Sequence, residues 1–287
     1  MSFHPAKARS KLLWGLSEHE SVMDEQELSG GNMGGAVRVG STVRKLSKPQ
    51  SATIQRLLTH VRAQGVTWVP EPLGTDEQGR DVWSFIAGEV VHDHPDWLWS
   101  TEILTTVAKR LRQWHDATAS FERHPDDVWW WPGKLPVDVI CHVDFAPYNH
   151  VFKSGQLVGA IDFDICYPGP RLWDLAYTAY RYVPLTPHAD EAVVDGATWG
   201  RSPFLLPQIE ERIHAFLDAY AGDNARLCYP ASALLGYLPP RLIAMADWCD
   251  RQDNEAMRRN GVTYRVHAAW LAGGGRGTAD VVDVRNA

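Results

Sequence analysis

The sequence has little cysteine and never pairs it: Cys141, Cys166, Cys228 and Cys249 are widely spaced, with no CxxC among them. That spacing argues against a zinc ribbon or a thioredoxin-type redox motif and reads the four as reduced packing residues. No apolar run approaches the length of a membrane span, and the opening MSFHPAKARSKLLWGL lacks the apolar stretch of a signal peptide. The expectation is a cytoplasmic protein away from membranes. Excess positive charge is also missing, since 28 Lys and Arg stand against 35 Asp and Glu, for a formal net charge of -7. A chain of that sign has no general attraction for nucleic acid, although a local basic cleft can still hold a phosphate.

What is present fits a globular enzyme. Apolar residues make up 45% and charged residues 22%, far from the bias of a disordered chain, and 287 residues favour two lobes. Residues 36–39 and 42–45 form a candidate hairpin about Gly40-Ser41. Over 51–64 the offsets of Ile54, Leu57, Leu58 and Val61 predict a helix that Gly65 stops. Residues 81–90 read as a strand leaving the first lobe. A long helix follows over 102–115, signalled by Ile103, Val107, Leu111 and Trp114.

The proline-bounded PDDVWWWPGKLP is irregular, with Trp129, Trp130 and Trp131 read as packing residues before substrate-stacking ones. Further helices are expected over 208–220 and 231–249, the second kinked or divided by Pro239-Pro240. From Gly273 onward the tail reads as a poorly packed end or a short edge segment. Strands first and helices later imply an α+β chain with a small sheet-based lobe over 1–88 and a larger, mostly helical lobe over 89–287. A cleft between such lobes is where a cofactor is expected.

Candidate chemistry concentrates in three places. The glycine-rich ELSGGNMGGA lets Gly30, Gly31, Gly34 and Gly35 bring backbone N–H groups to phosphate oxygens, yet it lacks the GK[ST] ending of a P-loop, so a plain turn is the competing reading. The strand after it offers Arg44 and Lys45, which face opposite sides, so only one can meet a phosphate. The densest part is CHVDFAPYNHV at 141–151 with AIDFDIC at 160–166. A turn at Ser154-Gly155 would fold Asp162 back toward Asp144 and Asn149. Two carboxylates and an amide oxygen suit a hard cation such as Mg²⁺. One carboxylate can take a proton from an incoming hydroxyl while the other helps hold the metal.

The run His142-Val143-Asp144-Phe145-Ala146-Pro147-Tyr148-Asn149 resembles the HGDxxxxN loop of the aminoglycoside phosphotransferase and choline kinase family, and Ile161-Asp162-Phe163-Asp164 resembles its ID[FW][DE] segment. The resemblance implies a bilobal, protein-kinase-like fold. It also implies Mg-dependent transfer of a terminal phosphoryl group from ATP or GTP to a small hydroxyl-bearing acceptor. Asp144 would be the base, Asn149 and Asp162 metal ligands, and His142 a brace; Asp164 reads evenly as a second metal neighbour or a surface carboxylate. Asp174, in PGPRLWDLAY, would tether the loop. The LSGG turn, with Gly30, Gly31, Asn32 and Gly34, and the hinge at Phe85 and Ile86 would contact the nucleotide.

Three departures accompany the resemblance. Val143 stands where the family has glycine. The phosphate-binding cation aligns best with Arg44, leaving Lys45 as runner-up. Residues 46–70 hold no Asp or Glu to pair with that cation. An inactive nucleotide-binding protein is the alternative reading, and the short gap between Asp162 and Asp174 disfavours a protein kinase. The cluster Asp247, Asp250, Asp253 and Glu255 reads first as a solvated face and second as a site for an amino-bearing acceptor.

Overall fold

The computed structural model describes residues 25–28, 35–92, 94–186, 193–194, 197–198 and 206–273. Gly30, Gly31, Asn32 and Gly34, and the tail beyond Gly273, lie outside the described residues. Strands β1 (Glu25–Leu28), β2 (Ala36–Val39), β3 (Thr42–Leu46), β4 (Pro72–Thr75) and β5 (Arg80–Ser84) form one antiparallel sheet in the order β1-β2-β3-β5-β4. The β2–β3 hairpin falls where the sequence predicts it, and Gly40 supplies the positive φ its turn requires.

Helix α1 (Ser51–Ala63) buries Ile54, Leu57, Leu58 and Val61, the predicted face, and ends where Gly65 takes a φ of 87°. The strand predicted over 81–90 is broken. β5 ends at Ser84, and β6 (Glu89–Val90) joins a second sheet with β8 (His150–Lys153) and β9 (Gln156–Ala160). Gly88 permits this crossing, because a Cβ there would collide with the Phe152 carbonyl. Phe85 and Ile86 lie in the connection: Phe85 N–H donates to the Ser41 carbonyl at 2.9 Å, and the Ile86 side chain packs on Gly159.

The remainder is mainly helical. α2 (Thr101–Ala119) is capped by the Ser100 hydroxyl, which accepts from the Ile103 N–H, and buries Ile103, Val107, Leu111 and Trp114. β7 (Val139–Cys141) pairs with β10 (Tyr167–Gly169), and α3 (Arg171–Tyr182), α4 (Leu206–Ala221), α5 (Ala231–Asp250) and α6 (Glu255–Ala272) follow.

α5 runs unbroken through Pro239 and Pro240, so of the expected kink or division the division does not occur. The carbonyls these prolines leave without donors belong to Leu235 and Gly236, both on the exposed side, where water can satisfy them. α3 is not among the helices expected from sequence; it is buried from Trp173 to Tyr182, including the polar Asp174, Thr178 and Arg181 that share one face at helical spacing. One contiguous apolar core runs from α1 through α2 and α3 to α6. Among the described residues no helix is long and apolar enough to cross a membrane.

Candidate active site

The strand β7 delivers the chain to a sharp turn at Val143, whose φ of 75° lies in the left-handed region. That geometry costs a residue with a Cβ about 1–2 kcal/mol. Asp174, in the first turn of α3, offsets it: its carboxylate accepts the N–H of His142 at 2.6 Å and that of Val143 at 2.7 Å, and meets His115 Nε2 at 3.1 Å. On the other side, Arg241 from α5 donates to the Val143 carbonyl, and the Val143 side chain packs with Val139, Cys141, Tyr167 and Trp173. Asp174 is 1% exposed. Burial alone would raise its pKa, but the hydrogen bond and charge of His115, with the His142 N–H, hold it below the ordinary carboxylate range.

Asp144 emerges from this clamp into a cavity. Tyr148 Oη donates to its Oδ1 at 2.5 Å and Asn149 Nδ2 to its Oδ2 at 2.9 Å, so the side chain is aimed by residues four and five positions on. His142 is fully buried, with Nε2 at 3.2 Å from the Ile161 carbonyl and its ring between Phe145 and Phe163. Burial lowers its pKa and favours the neutral form. It joins the Asp144 loop to the residue preceding Asp162.

Asp162 has φ 64° and ψ 57°, a conformation that turns the chain between β9 and the short helical turn Phe163–Ile165. The hairpin of β8 and β9 places it and Asn149 on the wall of one cavity. Lys45 reaches across from β3, its Nζ 2.8 Å from Asp162 Oδ1 and 2.9 Å from Asp164 Oδ2. Burial opposes the Lys45 charge, yet the two carboxylates outweigh it and raise the pKa.

The expectation that Arg44 is the working cation is therefore corrected: Arg44 projects from the other face of β3, to Thr42 Oγ1 and to Asp76 at 3.4 Å. Asp164, read as a metal neighbour or a surface carboxylate, is held in ion pairs. Its Oδ2 also takes Lys48 Nζ at 2.9 Å, and a carboxylate held by two ammoniums has little charge left for a metal. These two carboxylates supply the counter-charge to Lys45 that residues 46–70 lack.

The cavity, about 360 Å³, is lined by Asp144, Asn149 and Asp162 and also by aromatic residues that include Trp130, Trp131, Tyr167 and Trp173. Among the described residues no three His, Cys, Asp or Glu side chains are grouped to hold a metal, but Asn149 and Asp162 fit the oxygen donor set of an ion that takes its remaining ligands from phosphate and water. Trp129 packs into the core as expected, whereas Trp130 and Trp131 line the cavity. Tyr148, Lys48 and Arg241 were missed from sequence. For Arg241 the available signal was a lone charge in the apolar run after Pro240.

The acidic cluster is met by arginines of the same chain. Arg265 Nη2 meets Asp247 at 2.9 Å and Asp250 at 2.7 Å, and Asp253 and Glu255 pair with Arg258 and Arg259. Cys141, Cys166 and Cys249 are buried and in no disulfide, and burial raises the Cys141 and Cys166 pKa values, but Cys228 is exposed.

Comparison with known proteins places these features. A trifolitoxin immunity protein of Rhizobium leguminosarum bv. trifolii is 40% identical over 151 residues, which cover 50% of this chain and 57% of that relative. The chain thus spans little more than half the length of the curated relative it matches.

Among solved structures, the Cryptosporidium parvum choline kinase aligns with a TM-score of 0.60 at 12% identity, covering 90% of this chain and 91% of that one. Plasmodium vivax ethanolamine kinase aligns with a TM-score of 0.58 at 14% identity, over 86% and 81%. A choline/ethanolamine kinase family protein from Mesorhizobium loti gives 0.56 at 17%, over 88% and 89%. Residues 99–211, which carry the Asp144, Asn149, Asp162 and Asp174 constellation, match the phosphotransferase enzyme family, and the chain has the mixed α+β fold of its small-molecule kinases, as the HVDFAPYN and IDFD segments imply.

Proposed function

We propose that the protein transfers the terminal phosphoryl group of ATP or GTP to a hydroxyl of a small molecule in a Mg-dependent reaction. The observation that carries this reading is Asp144, held by the Tyr148 hydroxyl and the Asn149 amide and opening into the same cavity as Asp162. Residues 1–88 act as the nucleotide lobe and 89–287 as the catalytic and acceptor lobe. The passage of the chain from one sheet to the other between Ser84 and Glu89 supports that division.

In this reading Asp144 accepts the proton of the acceptor hydroxyl as its oxygen bonds to the terminal phosphorus, and the bond from that phosphorus to the nucleoside diphosphate breaks. Lys45 orients and neutralises phosphate oxygens, in the place first assigned to Arg44. Asn149 and Asp162 would hold a magnesium ion, which supplies charge neutralisation on the transferring group. His142 and Asp174 act as positioning residues. Gly30, Gly31, Asn32 and Gly34 cover the nucleotide, and Phe85 and Ile86 border its base. Support comes from the match over 99–211 and from the fold.

The test is a screen of hydroxyl compounds with ATP and GTP, read by the mass of a phosphorylated product. The name of the curated relative, a toxin immunity protein, extends the panel to hydroxyl-bearing toxins. Asp144→Asn should lower turnover by about 10²–10⁴-fold while nucleotide still binds. Undiminished turnover in that variant would reject the assignment. A wild-type protein that binds nucleotide with metal and consumes none across the panel would instead be a binding module.

A further inference from the structure

The acceptor end of the cavity carries positive charge that the fold leaves unanswered. Arg241 is 1% exposed and lines the cavity beside Val143 and Asp144. Only one hydrogen bond is formed by its guanidinium, to the Val143 carbonyl; Nε is buried without a partner, and no carboxylate pairs with it among the described residues. A guanidinium has five N–H donors, and burying its charge without a counter-ion costs several kcal/mol.

Lys134 lines the same space. Its Nζ stands 4.1 Å from the centre of the Trp173 ring, which Arg241 also faces at 5.2 Å, and no carboxylate pairs with Lys134 among the described residues. A third donor, the indole N–H of Trp248, is buried at the cavity wall with no acceptor. Three donors, two of them cationic, thus line one cavity with no carboxylate paired to them, while its carboxylates are engaged elsewhere, Asp144 by Tyr148 and Asn149, Asp162 by Lys45 and Asp247 by Arg265.

The same features count against an ammonium ligand. Two of the indoles that line the cavity are already covered by the chain's own cations, Trp131 by Arg251 at 4.5 Å and Trp173 by Lys134 and Arg241. Asp247, a carboxylate on this side of the cavity, is paired with Arg265.

We propose that the acceptor is a hydroxy acid with an apolar body: its carboxylate is bound by Arg241, Lys134 and the Trp248 N–H, and its body lies against Trp130, Trp131 and Ile165. The role given to the hydroxyl rests on the phosphotransferase reading; the preference for an anion does not.

Calorimetry with three matched compounds separates the two: 3-phenyllactate, its neutral analogue 1-phenyl-2-propanol and the cationic phenylalaninol. Phenyllactate should bind at least about tenfold more tightly than the other two, the scale of one charge-assisted contact. Lys134→Gln and Trp248→Phe should each weaken phenyllactate about five- to tenfold and change 1-phenyl-2-propanol less than about twofold. Arg241 is left intact because it also supports Val143.

Phenylalaninol binding as tightly as phenyllactate, absence of phenyllactate binding, or equal weakening of all three ligands in Lys134→Gln would overturn the proposal. Nucleotide consumption, measured separately, reports on the phosphotransferase reading alone.

Discussion

Asp174 holds Val143 in a left-handed conformation, its Oδ1 accepting the Val143 N–H at 2.7 Å while Oδ2 takes the neighbouring His142 N–H at 2.6 Å. Both carboxylate oxygens are acceptors for N–H groups of one strained turn, and Asp144 is the next residue along. The conformation usually given to glycine is here imposed on valine from outside, by α3 on one side and Arg241 on the other.

This arrangement predicts the effect of Asp174→Asn. The amide has one acceptor oxygen where the carboxylate had two, so one backbone N–H faces an NH₂ group in a dry site. The loss should be about 3 kcal/mol in urea denaturation, with turnover falling further than nucleotide affinity. A variant as stable as the parent would contradict the clamp.

Lys45 and Arg44 are neighbours with opposite surroundings, and substitution should separate them. Lys45→Met removes the cation beside Asp162 and should reduce kcat/KM by about 10²-fold or more. Arg44→Ala removes a partner of Asp76 on the other face and should change it less than about threefold. Steady-state measurement of nucleoside diphosphate release distinguishes them, and the reverse order would restore Arg44 as the phosphate cation.

Acid sensitivity follows from His115, His142 and His150. Burial lowers the pKa of each, and that of His150 well below its ordinary value, although Asp174 opposes the shift at His115 and His142. The unfolded chain takes up these protons below about pH 6.5 while the folded chain does not. Stability is therefore complete above that pH and falls below it, by up to about 1.4 kcal/mol per pH unit for each histidine. Thermal denaturation between pH 7.5 and 5 should show the slope, and His150→Phe should make it shallower. An unchanged slope in that variant would remove His150 from the account.

Gly261 in α6 should reverse the usual helix preference. Alanine in place of a helical glycine ordinarily stabilises by about 1 kcal/mol. Here an added Cβ would lie 2.8 Å from Asp250 Oδ1 and 3.2 Å from the Ala246 carbonyl, where α5 and α6 approach. Gly261→Ala should instead destabilise by about 1–3 kcal/mol in chemical denaturation. A gain in stability would show that the α5–α6 contact yields freely.

Much of this was written in local patterns. The hairpin of β2 and β3, the apolar faces of α1 and α2, and the turn at Ser154-Gly155 depend on residues near one another in the chain, so spacing and turn chemistry reveal them. The segments HVDFAPYN and IDFD were legible for the same reason: Tyr148 and Asn149 aim Asp144 from four and five residues away.

Other features required distant parts to meet. Lys45 rather than Arg44 faces Asp162 because of which side of β3 the sheet turns to the cleft, and a two-residue alternation gives faces without saying which is inward. α3 carries Asp174, Thr178 and Arg181 on one face at helical spacing, and only the tertiary structure buries that polar face together with the apolar one. A cation site is the second reading of Asp247 and Asp250 until α6 brings Arg265 against them, and only α5 carries Arg241 under the Val143 turn. Chain-local geometry sets the chemistry of the Asp144 loop; the sign of the charge offered to an acceptor is set by which distant side chains neutralise one another.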